Sequence, residues 1–268
     1  MRKLAWKLKK KPNSKIHAKE MTVTKEHCAL TVCNEGIRII VDDQHHEQGS
    51  AYFKYDQFSE FTLRSNTVHL RVPMNVFAET LNVFAGNSTA MRMHYDGPGE
   101  PLVVCMEEEG TIFNCAISTQ TPTPILDFEF DPTNVVAKVI MAPQSIRDVI
   151  RDLDQSSPTV LITITKSYIS FYTDGDLGKL KTQIPSHSEQ VELLECLQDR
   201  ADNAYRLTLV RRMLATFSLC TKVSIRMDHR GVLSAQFLVP QSDQQTVFVE
   251  FYVSCDESLT PFRGIGYY

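Results

Sequence analysis

No stretch of this chain approaches the ~20 consecutive apolar residues that cross a bilayer. The positive charges near its start are followed by no apolar segment of the kind a secretory leader carries. Both absences argue against a membrane-spanning or secreted protein. The 7 cysteines form no Cys-x-x-Cys pair and show no Cys/His ligand spacing. Scattered through strand-like segments such as Leu30-Thr31-Val32-Cys33 and Phe113-Asn114-Cys115, they read as reduced thiols that pack as small apolar groups. An excess of positive charge is also missing. A net charge of −4 argues against a uniformly basic nucleic-acid binder but leaves room for a basic face on an acidic body. What is present, 268 residues at 43% hydrophobic content with a mean hydropathy of −0.19, suits a globular protein with two domains, each with its own core.

Those domains are written as a repeat. Val68, Leu70 and Val72 alternate at a strand's period, and Pro73 ends the strand and opens a helix with an apolar stripe of Met74, Phe77, Leu81 and Phe84, stopped by Gly86. Three strands follow, Ala90 to Tyr95, Leu102 to Glu107 and Thr111 to Ile117, so that one helix lies on one sheet. A second copy starts at Val135 to Met141, breaks at Pro143, places Ile146, Val149, Ile150 and Leu153 on one helical side, and closes with strands at Val160–Thr165, Tyr168–Thr173 and Lys179–Ile184. A third opens with a strand at Tyr205, Leu207 and Leu209. A short helix over Val210, Met213, Leu214 and Phe217 comes next, then strands at Lys222–Met227, Val232–Val239 and Thr246–Val253. The period, roughly 70 residues, suits pseudo-symmetric half-domains and not a solenoid.

Between the repeats lie atypical segments. Met1 to Met21 carries the run Lys7, Lys9, Lys10, Lys11 ahead of Pro12, which reads as a solvated leader, a nuclear import signal or a phosphate-binding arm. Leu4 and Leu8 beside Trp6 allow a short basic amphipathic turn. His27 to Val41 is a hairpin about Asn34-Glu35-Gly36, and Ser50 to Leu63 supplies another strand. The loop Asp42 to Gly49 holds His45 and His46 near Asp42 and Asp43, but neighbours on an extended chain point opposite ways and no further ligand converges, so no metal is expected. Ser118 to Asn134 is an extended connector whose Ile125, Leu126, Phe128 and Phe130 are too apolar for a free linker. Ser186 to Asn203 is an acidic insert on which Val191, Leu194 and Leu197 form one short helical stripe.

The ordered motifs Ala90-Met91-Arg92-Met93, Glu107-Glu108-Glu109-Gly110, Ser118-Thr119-Gln120 leading to Leu126-Asp127-Phe128-Glu129-Phe130, and Thr133-Asn134-Val135 resemble the checkpoint DNA sliding clamp family. So do Lys222 to Arg226, His229-Arg230-Gly231 and Phe248 to Tyr252. Within that family they are most similar to the Rad-one type of subunit of the nine-one-one ring, whose fold is related to proliferating cell nuclear antigen. The resemblance covers about His27 to Glu257. It implies an α+β clamp fold of two pseudo-symmetric domains, antiparallel sheets outside and helices on the inner face. The domains are expected at 22–118 and 135–257, with a leader at 1–21, a connector at 119–134 and a tail at 258–268. The N-terminal strand and helix of domain one are expected to be missing or altered.

Function follows from the resemblance as an expectation: a non-catalytic subunit, without cofactor or metal, of a nuclear ring with Rad-nine and Hus-one type partners. A clamp loader places such a ring on damaged double-stranded DNA, where it recruits checkpoint and repair proteins; no membrane is involved. A pore that holds DNA without reading it offers cations to phosphates. Arg147 and Arg151, and Arg211 and Arg212, are the candidates, although Arg147 and Arg151 alternate with Asp148 and Asp152 and fit surface ion pairs as well. Ring closure implies subunit contacts along Thr111, Ile112, Phe113, Cys115 and Ile117, and along Lys179, Leu180, Lys181 and Ile184. Partner peptides imply a pocket of Val41, Leu126, Phe128, Val232 and Tyr252, unless these side chains simply pin the connector. Two other readings stand beside the clamp. One is a metal-dependent 3′ to 5′ exonuclease using Asp127 and Glu129, an Asp-x-Glu pair on one strand face. The other is a β-rich interaction adaptor.

Overall fold

The structure, a computed structural model, describes residues 4–8, 27–43, 46–84, 89–123, 130, 132–241 and 246–255, with 4–8 and 43 described through the backbone alone. The chain divides into two compact units. One comprises Met1–Gln44, Gln48–Leu126 and Val239–Val249; the other comprises His45–Glu47, Asp127–Leu238 and Glu250–Tyr268. Among the described residues no helix is long and apolar enough to cross a membrane.

The first unit contains strands β1 (Leu4–Leu8), β2 (His27–Cys33), β3 (Gly36–Asp43), β4 (Glu47–Lys54), β5 (Phe58–Thr62) and β6 (Thr67–Pro73). Helix α1 (Met74–Asn82) then precedes β7 (Ala90–Tyr95), β8 (Leu102–Glu108) and β9 (Thr111–Ile117). Alternation decides which side chains enter the core: Leu102, Val104 and Met106 of β8 are 0–1% exposed, and Leu30, Val32, Leu70 and Val72 oppose them from β2 and β6. Helix α1 closes this core with Met74, Phe77 and Leu81. Its preceding residue Pro73 ends β6 as the N-cap, φ −59° and ψ 121°, and is not the first helical residue.

The second unit repeats the plan. Strand β10 (Val135–Met141) leads through Pro143, at the helix start where its missing N–H costs nothing, into α2 (Pro143–Asp152). Strands β11 (Thr159–Thr165), β12 (Tyr168–Gly175), β13 (Gly178–Pro185), β14 (Val191–Cys196) and β15 (Arg200–Arg206) follow. Helices α3 (Leu207–Arg212) and α4 (Leu214–Phe217) precede β16 (Lys222–Asp228), β17 (Leu233–Pro240) and β18 (Thr246–Val253), of which residues up to 238 and from 250 count in this unit. Ile146, Ile150 and Leu153 of the α2 stripe are buried, and α2 packs beside α3 and α4. Phe237 meets Phe217 edge-on at 4.9 Å and Phe251 at 5.8 Å, joining α4 to the sheet beneath.

Each repeat gives its first strand to the other repeat's sheet. In the first unit β1 lies inside a five-stranded sheet of order β5-β1-β7-β8-β9, while β6 pairs with β2 from Cys33↔Thr67 to His27↔Pro73. In the second unit β15 joins the four-stranded sheet β13-β12-β11-β15, while β10 pairs with β16, Val139 opposite Ile225. The expectation of one helix on its own sheet is thus corrected. So is the expectation of a missing first strand: residues 4–8 run extended between β5 and β7, Leu4 opposite Tyr95 and Ala5 opposite Thr62, and are not an amphipathic helical turn. A backbone with a hydrogen-bonding strand on each edge has a partner for both sets of polar groups, and that outweighs the weak helical pattern.

Other boundaries move as well. The polar loop at 42–49 shrinks, because β3 runs to Asp43 and β4 starts at Glu47, and Ser50–Leu63 is two strands around a 3-10 turn at Tyr55–Gln57. The acidic insert is not helical: Val191 and Leu194 lie in β14, with Leu197 just beyond it. Leu207 and Leu209 are helical, not extended. Most of the apolar connector, 124–129 and 131, and the tail from 256 lie outside the described residues, as does Gly86.

The turn between β16 and β17 is held by its own polar atoms. Buried Asp228 accepts the Val232 amide at 2.8 Å and the Arg230 amide at 2.9 Å, and Arg230 Nη2 donates to its other oxygen at 2.9 Å. Gly231 adopts φ +81°, and a Cβ there would stand 2.6 Å from Asn203 Oδ1. Fully buried Tyr205 donates its hydroxyl to the Gly231 carbonyl at 2.8 Å. In urea unfolding, Tyr205→Phe is expected to lose about 1–2 kcal/mol, because a buried acceptor is orphaned. Gly231→Ala is expected to lose about 1–3 kcal/mol from left-handed strain and crowding. Unchanged midpoints for both would contradict this account of the turn.

Candidate functional site

The candidate pore arginines converge on one layer of helices in the second unit. Arg147 on α2 donates from Nη1 to Ser218 Oγ just after α4 at 3.2 Å, and Arg211 on α3 donates to the Arg151 carbonyl at 3.4 Å. Arg211 therefore shares a surface with Arg147 and Arg151, which lie one turn apart on α2. They are not unopposed: Arg151 lies 2.9 Å from both Asp148 and Asp152, and Arg147 lies 3.7 Å from Asp148. Exposed pairs of this kind stabilise little, so the arginines can exchange carboxylate for another anion at small cost. Arg212 differs. Its guanidinium pairs with Glu47, whose side chain is only 8% exposed and which lies 165 positions away, so the apparent lack of an acidic neighbour in sequence does not hold in space.

The two candidate contact strands are both sheet edges. Strand β9 pairs with β8 and β13 with β12, and among the described residues neither has a neighbour on its other side. Their chemistry differs. Along β9, Thr111, Ile112, Asn114 and Ala116 are exposed, Ile112 by 67%, whereas β13 exposes Lys179 and Lys181, the latter 6.0 Å over the Tyr168 ring. Phe113 and Cys115 are half-buried, with Phe113 edge-on to Phe84 at 6.5 Å, and Ile117 and Ile184 are core residues.

Of the candidate pocket, Val41 is buried in the first unit, while Val232 and Tyr252 are half-buried in the second. Leu126 and Phe128 lie outside the described residues, as do Asp127 and Glu129 of the nuclease reading. Phe130, next along the connector, stacks 5.7 Å from Tyr252 and lies 4.8 Å from the Arg226 guanidinium, so this end of the connector is pinned to the sheet. His45 is also outside the described residues. His46 uses its carbonyl to accept the Ser254 amide at 3.1 Å. All 7 cysteines are free, and burial pushes the Cys28 and Cys220 thiols up to about 12, well away from reactivity.

A family model described as repair protein Rad1/Rec1/Rad17 matches residues 17–239. The chain belongs to this family. The cell cycle checkpoint protein RAD1 of Mus musculus is 34% identical over 242 residues, covering 88% of this chain and 86% of the relative. The Caenorhabditis elegans homologue mrt-2 is 33% identical over 224 residues, covering 83% and 84%. A more distant Mycosarcoma maydis relative, named DNA repair exonuclease REC1, is 25% identical over 189 residues, 59% of this chain and 41% of that protein. Membership in the Rad1 family and the antiparallel sheets with few helices identify the clamp fold.

On this Rad1-family scaffold the sequence pattern does not disclose a clasp beside the β13 edge. Buried Asp154 accepts the Ser156 hydroxyl at 2.7 Å, the Ser156 amide at 3.0 Å and the Leu177 amide at 2.9 Å. Ser156 Oγ accepts the Asp176 amide at 2.6 Å, and Ser157 Oγ accepts the Asp174 amide at 3.3 Å. The turn of the β12–β13 hairpin is thereby tied to the loop after α2. The one local signal is Asp154 followed closely by two serines, a pattern common in ordinary loops. Hydrogen bonds from Ser156, then from the Leu177 amide, hold the Asp154 carboxyl below the usual carboxylate range. A depressed folded pKa means this contribution is present above the ordinary aspartate pKa and lost as pH falls through the folded value. The protection factors of the Asp176 and Leu177 amides, taken relative to the intrinsic exchange rate at each pH, are expected to fall on such acidification and to be low at every pH in Asp154→Asn. Identical protection in the variant would refute the clasp.

Proposed function

We propose that this chain is a non-catalytic subunit of a heterotrimeric DNA-damage checkpoint clamp, acting in the nucleus with Rad-nine and Hus-one type partners. In this reading a clamp loader places the ring around double-stranded DNA, and the ring recruits checkpoint and repair proteins. The observation that carries it is the pair of sheet edges, β9 and β13, left open among the described residues on a clamp fold of the Rad1 family. An open edge is an aggregation hazard unless pairing is its purpose, and two edges per chain are what ring closure uses. The domains at 22–118 and 135–257 each supply one edge. Arg147, Arg151 and Arg211 face the DNA, Arg212 being held by Glu47, and the connector receives client peptides.

Co-expression with Rad-nine and Hus-one type subunits, followed by sizing and electron microscopy, is expected to yield a ring of three unlike chains. Ile112→Asp, a change at an exposed position, should weaken assembly by on the order of tenfold or more, about 1.4 kcal/mol per factor of ten. Replacing Arg147, Arg151 and Arg211 with glutamine should leave assembly intact and reduce DNA retention. For every arginine that neutralises a phosphate, its replacement should make the salt-dependence slope shallower by about 0.9. Retention indifferent to all three would favour the adaptor reading.

The name of the fungal relative keeps an exonuclease in view. Highly purified chain is expected to show no magnesium-dependent digestion of DNA ends that disappears with Asp127→Ala and Glu129→Ala; digestion that follows this pair would establish the enzyme.

A further inference from the structure

The connector carries the same dipeptide twice in succession, Thr121-Pro122 and Thr123-Pro124, and a hydroxyl residue followed by proline recurs at Ser157-Pro158 and Thr260-Pro261. The structure separates these positions. Ser157 is 3% exposed, and its Oγ donates to the Thr159 carbonyl at 2.7 Å and accepts the Asp174 amide at 3.3 Å, so that hydroxyl is out of reach. Thr260 lies outside the described residues. Thr121, Pro122 and Thr123 are exposed, belong to no helix or strand, and make no hydrogen bond among the described residues.

What precedes them is fastened. The Gln120 amide donates to the Arg71 carbonyl at 2.8 Å, an isolated bridge that lays the start of the connector against β6. One residue earlier, Thr119 is half-buried and donates its hydroxyl to the Glu100 carbonyl at 2.8 Å. Thr121 is thus the first unengaged hydroxyl beyond the anchor. Pro122 keeps it extended, because a proline ring crowds the helical conformation of the residue before it. A modifying enzyme can therefore close around this segment without breaking backbone hydrogen bonds. Proline at the next position also sorts such enzymes: it brings no N–H, so it suits a cleft with no acceptor there and is refused where a buried acceptor waits. A cation lies beside the anchor. Arg71 is half-buried, and among the described residues its guanidinium makes no ion pair. No carboxylate shares its row, since Arg71 stands opposite Ala29 and Ala29 opposite Ile40. Bridged residues have Cα atoms about 5.5 Å apart and Thr121 is one further step of about 3.8 Å, so an anion on Thr121 falls within the span of an arginine side chain.

We propose that Thr121 is phosphorylated by a proline-directed serine/threonine kinase and that Arg71 holds the phosphate. In the transfer the Thr121 Oγ attacks the γ-phosphorus of a nucleoside triphosphate, and the bond from that phosphorus to the bridging oxygen breaks. The nucleoside diphosphate leaves, and the hydroxyl proton goes to a base of the kinase. The product sets a phosphate beside a guanidinium whose fork of donors matches its oxygens. The start of the connector then gains a further tie to β6 beyond its backbone bridge. The site stands without ring closure, so its failure and the failure of the clamp reading are separable.

The test treats the full-length chain, and in parallel a synthetic peptide of residues 115–127, with a purified proline-directed kinase and ATP, and locates the phosphate by tandem mass spectrometry. Incorporation is expected at Thr121 in both, lost from that position in Thr121→Ala, kept in Thr123→Ala, absent at Ser157, and slowed on the order of tenfold in Pro122→Ala. Modification of the peptide but not of the chain, or of neither, would overturn the site. Phosphorus nuclear magnetic resonance then follows the second ionisation of the phosphate, whose ordinary pKa is about 6. It is expected about half a unit lower in the phosphorylated chain and back at the ordinary value in Arg71→Gln, whose unfolding midpoint should match the parent. A titration indifferent to Arg71 would overturn its role in holding the phosphate.

Discussion

The exchange of first strands between paired repeats is the constraint from which the rest of this structure follows. A single repeat of strand, helix and three strands would leave its triplet with an open edge beside the first strand of the triplet. In each unit that place is filled by a strand from the other repeat, as β6 fills it for β2 and β15 for β11. Backbone hydrogen bonds cannot be left unmade in a closed interior, so neither repeat of a pair completes its sheet alone. The core follows the same logic: in the first unit Leu30 from one repeat and Leu70 from the other lie side by side in it.

The exchange also positions the surfaces of interest. With both repeats locked together, α2 comes beside α3 and α4, which brings Arg211 to Arg147 and Arg151 although it is far from them in sequence. In the triplets β7–β9 and β11–β13, filling one side leaves the last strand, β9 or β13, as the outermost one among the described residues. Open edges and clustered cations are thus two results of one topology. The Asp154 clasp adds local stiffness where the second edge begins, since an edge strand that must meet a partner gains from having its turn fixed beforehand.

Legibility in the sequence tracks how local each determinant is. Alternation at Val68, Leu70 and Val72 announces a strand because each side chain's fate is set by its immediate neighbours. Nothing in those residues says that Cys28 to Val32 lies alongside, since register is a property of two distant segments. Val191, Leu194 and Leu197 imitate a helical stripe because β14 is a half-exposed edge whose pairing shifts at Ile140/Met141, which breaks the two-residue period. Tyr205, Leu207 and Leu209 alternate across a boundary: Tyr205 lies near the end of a strand, while the two leucines belong to a helix, and all three are buried. The pore candidates are legible as arginines off the apolar stripes; Arg212 misleads because Glu47 lies in another part of the chain. That Lys138 stands between Glu195 and Arg226 depends on three strands meeting in register, which no local pattern encodes.

The interior position of β1 bears on how the chain is made. Its backbone partners are Thr62 to Phe58 on one flank and Tyr95 to Met91 on the other. During synthesis the segment at 4–8 leaves the ribosome before either of its partners and must wait until the chain has grown past Tyr95 before both flanks exist. Through that interval at least one edge of its backbone has only water or a helper protein to bind, so a strand made before its neighbours is among the last to be secured.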